Sequence, residues 1–77
     1  MKIEVISFGK IAEFIERQQI VVENLSDTDD LKTLLEAKFP NLKNIKYRLA
    51  INKVLVQKNI ELPESATVAL MPPFSGG

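Results

Sequence analysis

The lack of two residue types limits, more than any other feature, how this chain can fold. Its 77 residues include no cysteine and no histidine. A domain of this size buries only about 60% of the surface that its unfolded chain exposes, and many small domains compensate with disulfides or a structural metal. This chain can form no disulfide and lacks the thiolate and imidazole ligands of a zinc site. We therefore expect one small domain with an aliphatic core, for which 45% of the residues are hydrophobic.

The same absences restrict the chemistry that the chain can perform. Without cysteine and histidine it has no thiol nucleophile and no imidazole base. Asp27, Asp29 and Asp30 lie close together, but their spacing suits a helix start and lacks the glycine and distal glutamate of a calcium loop. We therefore expect no metal site and no bound cofactor. The remaining reactive groups are serine, lysine, tyrosine and carboxylates, including the carboxylate of the last residue.

Hydrophobic periodicity predicts five strands and two helices. Apolar and polar residues alternate in the strands, whereas Ile11, Phe14 and Ile15 recur with the i, i+3, i+4 spacing of one helical face. The second helix has Ser26 or Thr28 as its predicted N-cap. The predicted elements, in chain order, are a strand over 2–8, a helix over 10–18, a strand over 20–24, a helix within 25–39, and strands over 47–52, 54–57 and 67–71.

This order of elements predicts an α+β fold in two layers. A mixed sheet with the helices packed on one face is expected, and the β-grasp (ubiquitin-like) roll is the best-known small fold of this kind. The first and last strands would lie parallel at its centre, with Leu49 and Ile51 facing inward. We expect residues 1–71 to form this domain and residues 72–77 a flexible tail, because Pro72 and Pro73 cannot continue the backbone ladder.

Charge is spread unevenly along the chain, although the net charge is zero. Residues 37–60 contain six cations and no acid. This segment can be a solvated face, a docking surface for an acidic protein, or a nucleic-acid site. A single aromatic residue, Tyr47, and the lack of an arginine cluster argue against nucleic acid, which we do not expect as a partner. The six cations are Lys38, Lys43, Lys46, Arg48, Lys53 and Lys58.

The sequence also bears on localisation. Its first ten residues contain no apolar run of the length found in a signal peptide, and no stretch has the length and hydrophobicity of a transmembrane span. We therefore expect a cytoplasmic protein that does not bind membranes.

The last six residues, "PPFSGG", have the shape of a segment that presents its own end to another protein. Fully extended, six residues reach roughly 20 Å. Pro72 and Pro73 favour an extended conformation, and Phe74 beside them resembles a binding anchor. Gly76 and Gly77 carry no side chain and can enter a tunnel too narrow for a Cβ atom. The alternative is a frayed end that happens to contain two glycines.

A C-terminal carboxylate can take part in chemistry that nothing else in this sequence offers. The α-carboxyl group has a pKa of about 3.5 in peptides, so it is ionised at neutral pH and is a poor electrophile. ATP can convert one oxygen into a leaving group by forming an acyl-adenylate. The activated carbonyl can then accept sulfur to give a thiocarboxylate, or an amine to give an amide. In either case another enzyme would supply the catalysis.

The segment "VALMPPFSGG", residues 68–77, resembles the C-terminal signature of the family of small, sulfur-carrying subunits of molybdopterin synthase. The resemblance extends to "SFG", "LKTLLEAKFP", "LAIN" and "VLV" earlier in the chain. It implies a β-grasp fold and a carrier whose last glycine is adenylated by an E1-like (ubiquitin-activating-type) enzyme and converted to a thiocarboxylate. It also implies that the tail enters the large synthase subunit, in a heterotetramer, and gives its sulfur to a pterin precursor.

The resemblance assigns roles to particular residues. Gly77 would bear the adenylate and then the sulfur, and Gly76 would be the slender residue before it. Tail insertion would involve Pro72, Pro73, Phe74 and Ser75. An apolar patch at the strand ends, formed by Phe8, Leu55 and Met71, would contact the large subunit. The alternative for these three residues is ordinary core packing. The chain would not be catalytic on its own, and ATP would be used by the activating partner.

Three other functions remain open at this point. The chain can be a sulfur carrier for another pathway, such as thiamine synthesis, tungsten-cofactor synthesis or tRNA thiolation. It can be a ubiquitin-like modifier that is joined to lysines through its last glycine. It can also be a plain binding module, whose function would not change if residues were added after Gly77.

Overall fold

Five strands, one α-helix and two 3₁₀ helices build the fold. The structure, a computed structural model, describes residues 1–73. The strands are β1 Lys2–Ser7, β2 Gln18–Val21, β3 Arg48–Ile51, β4 Val54–Leu55 and β5 Ser65–Met71, the α-helix α1 is Thr28–Lys38, and the 3₁₀ helices are Gly9–Glu13 and Pro40–Asn44.

The strands form a single mixed sheet in the order β2-β1-β5-β3-β4. β1 and β5 are parallel, with Val5 opposite Val68, and the other neighbouring strands are antiparallel. The predicted α+β fold with the first and last strands parallel at the centre is therefore confirmed. Because both ends of the chain meet in the middle of the sheet, the tail leaves from its central strand.

The core lies between α1 and one face of the sheet. Alternating residues of β1, β5 and β3 point to this inner face, and Leu49 and Ile51 are buried there as predicted. Burial of one such aliphatic side chain contributes about 1.5–3 kcal/mol. Residues fully buried in this core are Ile3, Val5, Ile11, Ile15, Leu31, Leu35, Leu42, Val68 and Leu70.

The N-terminus of α1 differs from the prediction. The N-cap is Asp27, whose carboxylate accepts a 2.9 Å hydrogen bond from the backbone N–H of Asp30. Asn59 donates to the same carboxylate at 3.1 Å. The first of these bonds, then the second, lowers the pKa of Asp27 below its ordinary value. Thr28 instead turns inward, and its hydroxyl accepts from the backbone N–H of Ile60 at 3.0 Å. Sequence patterns cannot show such long-range hydrogen bonds.

The predicted helix over residues 10–18 is wrong. The chain forms only the 3₁₀ helix Gly9–Glu13, and β2 already begins at Gln18. The sheet decides this, because Gln18 pairs with Val5 in the β1–β2 ladder and leaves too few residues for a long helix. Ile11 and Ile15 are buried, but Phe14 is 37% exposed. One α-helix, rather than two, therefore packs on the inner face.

Two absences hold for residues 1–73. No helix in this part of the chain is long and apolar enough to span a membrane. The same residues contain no group of three or more acidic side chains arranged to hold a metal ion.

Candidate functional site

The outer face of the sheet, opposite α1, carries a continuous apolar row. Ile6 lies opposite Ala69, Ala69 opposite Ala50, and Ala50 opposite Leu55, so the row crosses β1, β5, β3 and β4. Residues opposite one another in a ladder point to the same face. The tight β3–β4 turn places Leu55 at the end of this row.

A second row lies next to it, towards the end of β5. Met71 lies opposite Arg48 in the β3–β5 ladder. Phe8 extends the β1–β5 ladder, because its N–H donates to the carbonyl of Leu70 at 3.0 Å and its backbone is still extended. Phe8 therefore points to the same face as Ile6, two residues earlier. We call the six residues of these rows the apolar patch: Ile6, Phe8, Ala50, Leu55, Ala69 and Met71.

The apolar patch reaches the surface at Phe8 and Leu55, whereas Ala50 is buried and Ile6 and Ala69 are half-buried. Phe8 is 50% exposed and Leu55 is 37% exposed, while Met71 is half-buried. These three residues are therefore not packed in the core. The structure brings them together on the outer face of the sheet. Exposed apolar side chains gathered on one face of a sheet are typical of an interaction site. Their role as the partner interface stays a prediction.

Sequence reasoning missed three members of the patch. Ile6, Ala50 and Ala69 belong to strands that were predicted, but which residues of different strands lie side by side depends on register. The available signal was the apolar character of residues on both faces of the strands. A strand covered on one side only would show polar residues on its other face.

The tail begins at the edge of the apolar patch. Pro72 follows Met71 directly and is half-buried, whereas Pro73 is exposed. The ring of Pro72 lies against Gly9, where the chain turns after β1: a Cβ atom on Gly9 would come within 3.0 Å of Cγ of Pro72. The other predicted tail residues, Phe74, Ser75, Gly76 and Gly77, lie outside the described residues.

A cationic groove runs between α1 and the start of β3, on the other side of the tail base. Two open cavities of about 540 and 470 Å³ share Lys32, Tyr47 and Arg48, and Pro73 lines the second. Asp29 and Glu36 are acids in their lining. We use the name cationic groove for the surface formed by Lys32, Lys43, Lys46, Arg48 and Lys58. Four of its members belong to the basic segment noted in the sequence.

Tyr47 fixes the floor of the cationic groove. Its hydroxyl donates to Oε2 of Glu36 at 2.6 Å, which ties β3 to α1. Burial, followed by the hydrogen bond to Glu36 and its negative charge, raises the pKa of Tyr47 well above its ordinary range. The phenol therefore remains a neutral donor. Nζ of Lys32 lies 5.4 Å from the centre of the Tyr47 ring, within range of a cation–π contact.

The groove cations have no carboxylate partner within residues 1–73. The salt bridge found there joins Arg17 to Glu4 at 3.0 Å, far from the groove. At the opposite side of the tail base, Ser7 Oγ is buried and finds no hydrogen-bond partner within the same residues. The tail base is thus bordered by the apolar patch and by cations, and Arg48, which lies opposite Met71, adjoins both.

Known proteins share the fold of this chain. The ThiS family model matches residues 5–77. The molybdopterin synthase sulfur carrier subunit of Mycobacterium tuberculosis is 27% identical over 82 residues, which cover 100% of this chain and 99% of that protein. A chain in the solved complex of subunits 1 and 2 of the molybdopterin-converting factor from Helicobacter pylori is similar in structure, with a TM-score of 0.71 and 28% identity. That match covers 100% of both chains.

Proposed function

Because this chain belongs to the ThiS family, whose β-grasp fold it shares, we propose that it is the sulfur-carrying small subunit of a molybdopterin synthase. One observation supports this above all others: the tail leaves the sheet at the edge of a partly exposed apolar patch that crosses four strands. A partner that covers the patch receives the tail at the same time. The two similar proteins are themselves a sulfur carrier subunit and a subunit in a two-subunit complex.

The proposed reactive atom is the C-terminal carbonyl carbon of Gly77. A carboxylate oxygen attacks the α-phosphorus of ATP in an E1-like adenylating enzyme, and pyrophosphate leaves. The resulting acyl-adenylate has AMP as its leaving group. A sulfide-level nucleophile then attacks the carbonyl carbon, the bond to AMP breaks, and a thiocarboxylate remains. ATP belongs to the activating partner, and the carrier itself holds no cofactor.

The large subunit is the proposed second partner. It binds the apolar patch and admits the tail, in which Gly76 leaves space for a narrow tunnel. The thiocarboxylate sulfur attacks an electrophilic carbon of the pterin precursor, and a carbon–oxygen bond at that carbon breaks so that the oxygen leaves. Water then attacks the acyl carbon, the acyl–sulfur bond breaks, the sulfur stays on the pterin as a thiol, and the Gly77 carboxylate is restored. The carrier thus contributes the sulfur and its delivery, while the large subunit provides the catalytic groups. We place this ATP-dependent cycle in the cytoplasm.

The names of the two similar proteins favour molybdopterin synthesis over other uses of the same chemistry. A carrier for thiamine synthesis, tungsten-cofactor synthesis or tRNA thiolation would undergo the same activation but would not bind the large synthase subunit. A modifier of lysines would form higher-mass conjugates with other proteins. A plain binding module would need no free carboxylate at Gly77.

Intact-mass measurement tests the proposal. The chain is incubated with ATP, a sulfur donor and the activating enzyme, then mixed with the large subunit. We expect a mass increase equal to the difference between one sulfur and one oxygen atom, followed by loss of that sulfur when precursor is added. A variant lacking Gly77 and a variant with one alanine after it are the controls, and both should stay uncharged while keeping the wild-type circular dichroism. Charging of either control, or an unmodified wild-type chain, would contradict the carrier mechanism.

A further inference from the structure

We propose that Gly9 is a positioning residue that seats Pro72 and thereby sets the direction in which the reactive tail leaves the sheet. This inference rests on the proposed function. It concerns a contact between the two ends of the domain, since Gly9 follows β1 and Pro72 follows β5. Neither residue touches the reacting atoms.

Two independent features of Gly9 disfavour an ordinary side chain. Its φ of +60° lies in the left-handed region, which residues with a Cβ atom rarely adopt. In addition, a Cβ atom there would lie 3.0 Å from Cγ and 3.4 Å from Cδ of Pro72. The first distance is shorter than an ordinary van der Waals contact, so the proline ring would have to move by a few tenths of an ångström to admit a side chain.

We call the contact between Gly9 and Pro72 the seat, and the chain is anchored on both sides of Gly9. Before Gly9, the N–H of Phe8 donates to the carbonyl of Leu70 at 3.0 Å, which locks the end of β1 to β5. After Gly9, the buried Ile11 anchors the 3₁₀ helix in the core. Gly9 therefore cannot move away from an intruding Cβ without disturbing one of these two anchors. Displacement of Pro72 is the easier response, because Pro73 beyond it is exposed.

The orientation of Pro72 matters because a small change in it at the base produces a larger displacement farther along the tail. Proline has a fixed φ, so a seated ring defines the course of the chain that follows. The five residues after Pro72 span at most about 17 Å, so a change of about 10° in the direction in which the chain leaves the sheet shifts the region that its end can reach by up to about 3 Å. Misplacement of a reacting group by about 1 Å can lower a rate about 100-fold. Gly9 should therefore act on the chemical step while leaving the docking surface unchanged.

A simpler role for Gly9 is that it only permits the turn after β1. Two variants distinguish a role of Gly9 in allowing the turn from a role in holding Pro72. Asparagine tolerates positive φ but brings a Cβ atom towards Pro72. D-alanine, introduced by chemical synthesis, accepts this φ without strain and places its methyl group on the other side of Cα. If the seat matters, Gly9→Asn should impair the carrier and Gly9→D-alanine should not.

The experiment measures kcat and KM of the carrier as substrate of the activating enzyme, from pyrophosphate release. We expect Gly9→Asn to lower kcat about tenfold, corresponding to about 1.4 kcal/mol in the barrier, with KM within about twofold of wild type. Pro72→Ala should lower kcat less, and the double variant should behave like Pro72→Ala, because the clash needs the ring. Such non-additivity identifies residues in contact. Thermal unfolding of each variant reports whether it is folded.

Each possible outcome decides the question. Equal kcat for wild type and folded Gly9→Asn would overturn the seat alone and leave the carrier function intact. A double variant as slow as Gly9→Asn would assign the loss to the turn and also overturn the seat. If Gly9→Asn does not fold, a folded Gly9→D-alanine chain that is charged about tenfold more slowly than wild type would overturn the seat, because its methyl group lies on the other side of Cα from Pro72. A wild-type chain that is never charged refutes the proposed function itself, and the seat with it.

Discussion

The two faces of the sheet are built from the same strands, but the inner face stabilises the domain and the outer face carries the apolar patch. On β5, Leu70 points inward and is fully buried, while the next residue, Met71, points outward and belongs to the apolar patch. Both faces are apolar, so hydrophobicity alone does not distinguish them. The inner face is covered by α1 and contributes stability. The outer face has no covering element within residues 1–73, and its apolar surface is available to a partner.

Leu70→Ala should give the largest effect on stability. A buried leucine replaced by alanine leaves a cavity and typically costs about 2–5 kcal/mol. In a domain of this size each kcal/mol lowers Tm by about 4–8 °C. We expect thermal unfolding to shift accordingly, whereas the affinity of the remaining folded protein for the large subunit should change little. A small change in Tm would mean that the inner face is not the core.

Met71→Asp, on the adjacent residue, should show the opposite pattern. An exposed carboxylate in the patch would be desolvated by a partner, so we expect Kd for the large subunit to rise at least tenfold, or about 1.4 kcal/mol. Arg48 lies opposite and can pair with the new carboxylate, which limits the loss of stability. Calorimetric titration measures the affinity. Unchanged binding would separate Met71 from the interface.

Leu55→Ala tests the far end of the patch and should have a smaller effect. Because Leu55 lies at the end of the row on the short strand β4, its truncation should weaken binding by about threefold to tenfold. Val54 is the matched control, since it is 64% exposed and is the neighbouring residue on the same strand. Val54→Ala should leave affinity within about twofold. Equal effects of the two substitutions on affinity would show that the partner does not distinguish Leu55 in the apolar patch from Val54 outside it.

Tyr47→Phe should give the smaller of the two effects on stability, because its ring stays packed against the core and only one hydrogen bond is lost. Loss of its hydrogen bond to Glu36 should cost about 1 kcal/mol in the free energy of unfolding. The raised pKa of Tyr47 stabilises the folded state below the phenol's unfolded pKa of about 10, and this contribution decreases as pH rises above that value. Denaturant unfolding between neutral pH and pH about 11 should therefore show a steeper loss in wild type than in Tyr47→Phe. Parallel losses would show that Tyr47 is not linked to stability.

Parts of the fold were predictable because they depend on local patterns. Alternation identified β5 and the inward positions Leu49 and Ile51, and the leucines of α1 showed helical spacing. Periodicity misled at residues 10–18, where Ile11 and Ile15 are buried as a helix would require. There the pairing of Gln18 with Val5 limits the segment to a 3₁₀ helix. A long-range constraint overrode a local preference.

The candidate site was predictable only in part, for the same reason. Phe8, Leu55 and Met71 were named from a family resemblance, and the sequence left open whether they pack in the core. Ile6, Ala50 and Ala69 were not identified, because they join the patch through ladder register alone. The basic segment was visible in the sequence, but its approach to Pro73 was not.

By itself the sequence determined what depends on residue type and local order. It excluded disulfides, placed an aliphatic core on alternating positions, and put two prolines and two glycines at the end of the chain. Only the tertiary structure decided which residues of distant segments meet. The rows of the apolar patch and the contact between Gly9 and Pro72 arise when β1 and β5 pair in parallel. That pairing minimises the free energy of the whole chain, so no short segment encodes it.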